Sequence, residues 1–148
     1  MKSTFGLTVM SHAGKSTSRW STTEIEIPAR SEVIIVDGSG KSSIKHSLSL
    51  WQLSSAAGTS RAVFSALVES IVQGQDPNSG GAPQLGSLYR IGNGRLIGII
   101  HNNQRYFAGA KLLGPERNLP LEWRNDLFEI ADGQRKIRKS KAQPHQPR

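Results

Sequence analysis

The chain has 148 residues, of which 36% are hydrophobic, 20% charged and 6% aromatic. That length suits one domain with a real core, and the absence of cysteine excludes disulfides, thiolate catalysis and cysteine-ligated metal centres. The net charge of +8 comes from 19 basic and 11 acidic residues, but six basic residues fall within 135–148, which holds no acid, leaving 13 against 11 elsewhere.

No apolar run approaches the roughly 20 residues of a membrane-spanning helix. No signal-peptide core follows Met1, so a cytoplasmic protein without membrane contact is expected. His12, His46, His101 and His145 show no ligand spacing, and no metal or cofactor is expected.

Along the chain, residues 4–10 and 19–27 alternate apolar and polar positions around a polar stretch containing Gly14. This predicts a hairpin, ended by Pro28. Glu32-Val33-Ile34-Ile35-Val36 is nearly continuous and β-branched, the pattern of a central strand buried on both faces. Asp37-Gly38-Ser39-Gly40 then predicts a tight turn. Ile44, Leu48 and Trp51 lie at helical spacing, and a loop is expected over 54–58. Residues 60–73 read as a second helix, with Thr59 or Ser60 as N-cap, Gly74 beyond its end and an apolar stripe of Val63, Phe64, Leu67, Ile71 and Val72.

Asp76-Pro77-Asn78-Ser79-Gly80-Gly81 is a turn. Strands are predicted over 84–91, 95–101 and 104–112, joined by Gly92-Asn93-Gly94 and Asn102-Asn103. Trp123, Leu127 and Ile130 predict a short helix over 121–130. From Gly133 onward the chain is polar and basic, and disorder is expected. The fold class is α+β, with antiparallel sheets packed on two central helices in residues 1–132 and a basic tail over 133–148.

Gly38-Ser39-Gly40-Lys41-Ser42 after a hydrophobic strand has the ending of a phosphate-binding loop. Such a loop needs a glycine where this chain has Ile35, so the turn is too short to cradle a nucleotide. The stronger signal is a pair of motifs: Gly38-Ser39-Gly40 after the strand, and Asp76-x-x-Ser79-Gly80-Gly81 after the second helix. Each alone is an ordinary glycine-rich turn.

Together, in this order and spacing, they resemble the C-terminal half of a proteasome-β-like N-terminal-nucleophile hydrolase. Gly58-Thr59-Ser60-Arg61-Ala62-Val63-Phe64-Ser65, Ser79-Gly80-Gly81-Ala82-Pro83-Gln84-Leu85, Arg105-Tyr106-Phe107-Ala108-Gly109 and Glu122-Trp123-Arg124-Asn125-Asp126-Leu127-Phe128 are similar to a bacterial branch of that family, over about residues 4–130.

The resemblance implies partial αββα-type layers and amide or peptide hydrolysis. The nucleophile is then the side chain of an N-terminal residue whose α-amine serves as base. It makes Ser39, Asp76 and Ser79 a supporting shell. The family's nucleophile and its lysine have no match. Ser3 or Thr4 would serve only after cleavage, and Lys15 and Lys41 are the lysines on offer.

The chain is therefore expected to be a truncated or split hydrolase domain, inactive alone. Hydrolysis would need a complementing chain that carries the N-terminal half; without one the chain would be a non-catalytic relative, a homo-oligomer through its open sheet edge. The alternative is a non-catalytic basic binding protein whose tail contacts nucleic acid through phosphates. Trp20, Trp51 and Trp123 are expected in the core or at an interface.

Overall fold

The two helices form where the spacing predicts them. In the computed structural model, which describes residues 6–13, 19–29, 32–88, 94–114 and 119–148, α1 is Lys41–Trp51 and α2 is Ser60–Gln73. Thr59 caps α2: its hydroxyl accepts the Ala62 N–H and donates to the Ala56 carbonyl. Gly74 ends the helix in the left-handed conformation at φ 61°. Beside Trp51, Phe64 and Val68, the buried positions of the two helices are small: Ser43 and Ser47 on α1 and Ala62, Ser65, Ala66 and Ser70 on α2. Small residues suit close helix packing. Trp51 closes the pair over Ala56, Ala62 and Ala66 and donates its indole N–H to Glu69 at 2.7 Å.

The strands are β1 Leu7–Ala13, β2 Arg19–Ile25, β3 Leu85–Ser87, β4 Arg95–His101, β5 Gln104–Phe107, β6 Ala110–Lys111, β7 Trp123–Asn125, β8 Ile130–Asp132 and β9 Ile137–Arg138. β1 and β2 pair as a separate antiparallel hairpin, Leu7 opposite Ile25. The others form one sheet in the order β6-β5-β4-β7-β8-β9, with β3 also on β4. Among the described residues every pairing is antiparallel except β4 with β7. The architecture is mixed α+β, and among the described residues no helix is long and apolar enough to cross a membrane.

β4 is the centre of the sheet and is buried from Ile97 to His101. Ile97 and Ile99 pack against Phe64 and Val68 of α2, which seats the helix pair on the sheet. Ile100, Trp123 and Ala131 form a third cluster. Gly98 faces the indole of Trp123 so closely that a Cβ there would lie 2.5 Å from a ring carbon. Gly133 abuts the pyrrole edge of the same indole.

Four expectations are corrected. Residues 32–37 form no strand and pair with none among the described residues, and Ile34 and Ile35 are 40% and 50% exposed. A β-branched run states a preference, but a strand also needs a neighbouring edge. The predicted strand 104–112 is two strands, broken by Ala108 and Gly109, both at positive φ. The predicted helix over 121–130 is instead β7, a turn and the start of β8. The Asn125 side chain accepts the Leu127 and Glu129 N–H groups, and Phe128 stands at φ 63°. That side-chain turn outcompetes the helix.

The tail expected to be disordered is also folded. Ile137 and Arg138 pair with β8. His145 donates its backbone N–H to Glu129 at 2.8 Å, Arg61 donates to the Gln146 carbonyl, and Arg148 pairs with Glu69. The polar composition of this segment hid the acceptors waiting on the body. Residues 4–5, Gly14, Gly92-Asn93, and part of the strand predicted over 84–91 lie outside the described residues.

Candidate functional site

The turn before α1 and the turn after α2 meet. Ser39 donates its hydroxyl to Asp76 Oδ2 at 2.7 Å, across 37 positions of sequence. Ser79 donates to the same oxygen at 2.5 Å. The other carboxylate oxygen, Oδ1, accepts the Asn78 N–H at 3.1 Å. The structure thus brings Ser39, Asp76 and Ser79 onto one carboxylate.

Local backbone geometry makes the meeting possible. Gly38 stands at φ 100°, a conformation that favours glycine. Gly40 is buried, and a Cβ there would lie 3.0 Å from Ser79 Oγ and 3.2 Å from Asp76 Oδ2. Any side chain at Gly40 would press on the network.

The hydrogen bonds hold the Asp76 carboxyl below the usual carboxylate range. The Ser39 hydroxyl contributes most, then Ser79, then the Asn78 N–H. Asp76 is therefore an anion at neutral pH and no general acid. Each serine spends its one O–H on Asp76 and keeps its oxygen lone pairs for another donor. An anion flanked by two such oxygens suits a group with several N–H donors, such as an amine.

An apolar cleft of about 410 Å³ reaches the start of the turn before α1 and is lined by none of the three cluster residues. Val33, Ile35, Val36, Asp37, Ile44 and Phe64 are among the residues that line it. Asp37 joins the cleft directly to the Gly38–Ser39 turn. The volume is within the range of small-ligand pockets.

The other named residues lie apart from this network or outside the described residues. Lys41 opens α1, is exposed, and has no hydrogen bond or ion pair to the cluster among the described residues. Ser3, Thr4 and Lys15 lie outside the described residues. Trp51 and Trp123 are core residues, whereas Trp20 is 68% exposed, with its ring tilted against that of His12 at 5.0 Å between centroids.

One polar constellation has no signal in the sequence. Buried His101 bonds through Nδ1 to Asp126 at 2.7 Å, and its Nε2 lies 3.1 Å from the Asn102 amide nitrogen. Asp126 also accepts the Asn102 N–H. Both ring nitrogens are engaged, so the group joins the end of β4 to the turn after β7. Parallel pairing of β4 with β7, which brings these residues together, is not readable from local pattern.

No known family, curated protein or solved structure matches the chain.

Proposed function

We propose that the chain is a proteasome-like N-terminal-nucleophile hydrolase domain, with Ser39, Asp76 and Ser79 as positioning residues for an N-terminal amine. The observation that carries this reading is the convergence of two distant glycine-flanked serines on one carboxylate. Catalysis by an α-amine needs that amine held in place and its ammonium form balanced by an anion. The network offers one charge and hydroxyl lone pairs for that purpose. In this reading the amine and the attacking hydroxyl come from a complementing chain. That chain would also pair with segment 32–37, which has strand composition, and complete the αββα layers. The apolar cleft would then hold the acyl side of an amide substrate.

The test is to isolate the protein from its own cells under mild conditions and assay fluorogenic peptide amides. Asp76→Ala and Ser39→Ala are expected to lower the co-purifying hydrolysis by at least tenfold while the fold is retained. Hydrolysis that is absent from the wild-type preparation, or equal in all three preparations, would overturn the reading.

A further inference from the structure

We propose that the folded C-terminal hairpin is a binding surface for the phosphate backbone of nucleic acid, carried by Arg135, Lys139 and Lys141. The segment 135–148 holds six cationic side chains, and the structure divides them into two sets. Three serve the fold. Lys136 donates to the Asn103 carbonyl at 3.1 Å, Arg138 donates to the Lys139 and Ala142 carbonyls and approaches Glu129, and Arg148 pairs with Glu69. Arg135, Lys139 and Lys141 are exposed and make no salt bridge or side-chain hydrogen bond among the described residues.

These three line one surface hollow of about 380 Å³, together with Arg138, Ile137, Ser140 and Asp132. Among the described residues Asp132 is the one acid there, and its Oδ1 already accepts the Gln134 and Arg135 N–H groups. Four cations therefore face one carboxylate in a concave site. The backbone beneath them is fixed by the pairing of β8 with β9 and by the Lys139 N–H bonded to the Ile130 carbonyl. Fixed backbone lowers the entropy lost on binding, compared with a flexible basic tail.

The ligand chemistry follows from what the hollow lacks. Ile137 is its one exposed large apolar side chain, so nothing there enters a bilayer to any depth. No aromatic ring lies within 133–148 to stack on bases, apart from His145, whose Nδ1 is held by the Leu127 carbonyl. Contacts made by cations alone read phosphates and not sequence. Nucleic acid also presents the dense line of charge from which counterions are released.

The experiment is fluorescence anisotropy of a labelled DNA duplex with the full chain at about 50 to 200 mM salt. Three phosphate contacts predict a log–log salt slope near −2.7, or about 40-fold weaker binding over that fourfold change. The triple variant Arg135→Gln, Lys139→Gln, Lys141→Gln should lose this binding and keep the wild-type circular dichroism and melting temperature. Arg19→Gln, Lys45→Gln, Lys111→Gln removes the same charge from exposed positions elsewhere and should bind as wild type. The proposal falls if the wild type does not bind at the lowest salt. It also falls if both triple variants weaken binding equally, or if vesicles containing phosphatidylserine bind the protein and DNA does not.

Discussion

Glu129→Ala should release the C-terminal segment from the body. The Glu129 side chain is buried, accepts the Asn125 amide at 2.6 Å and the His145 N–H at 2.8 Å, and lies 3.7 Å from Arg138 Nε. Of these two bonds the one from His145 joins the segment to the body, and a hydrogen bond to a carboxylate contributes about 1.5 kcal/mol at the low end. Loss of that bond raises the segment's open population roughly 10-fold. Arg135, Lys136, Arg138, Lys139 and Lys141 are trypsin sites, so limited proteolysis reads the opening directly. When the segment recloses faster than it is cut, the cleavage rate follows the open population. The variant should therefore lose its tail roughly 10-fold faster than the wild type. Glu129→Gln keeps an acceptor oxygen for the His145 N–H and should fall between the two. A wild-type tail cut as fast as an unstructured peptide, or equal rates in wild type and Glu129→Ala, would refute the docking.

Three further expectations follow from other contacts. Gly98→Ala places a methyl group against the Trp123 indole, which Gly133 also confines, so overpacking should cost about 2–3 kcal/mol. Calorimetry should show a melting temperature lower by roughly 5–10 °C, and a shift under about 2 °C would mean the ring has room to move. Thr59→Ala removes the cap of α2 and should cost about 1 kcal/mol in denaturant unfolding. No change in the urea midpoint would show the cap to be dispensable. Asp76 has a lowered folded pKa, so its stabilisation is present above the unfolded value of about 3.9 and disappears as pH falls through the folded one. The melting-temperature gap between wild type and Asp76→Asn should therefore shrink in that acid range. A gap that is constant through it would rule out ionisation as the cause.

What was legible in the sequence was local. Thr59 and Gly74 mark the ends of α2 because a hydroxyl cap and a left-handed glycine are short-range chemistry. Asn102 and Asn103, at φ 48° and 57°, make the tight turn between β4 and β5 for the same reason. The meeting of Ser39 with Asp76 was accessible only because two motifs were read together. What stayed hidden depends on distant partners. Val33 to Val36 have strand composition but no adjacent edge among the described residues. Lys136, Arg138 and Arg148 look like solvated charge until Asn103, Ala142 and Glu69 are placed beside them. His101 acquires its role only when a parallel pairing delivers Asp126.

The parallel seam between β4 and β7 also bears on the order in which the molecule assembles. Trp51 sits in a helical hairpin whose contacts are close in sequence, the kind that forms early. Trp123 reaches Gly98 only after the chain has run out through β5 and β6 and returned to the opposite edge of β4. Trp20 stays largely in water throughout. The three indoles therefore act as separate clocks: one for the helix pair, one for closure of the seam, and one that scarcely registers either event.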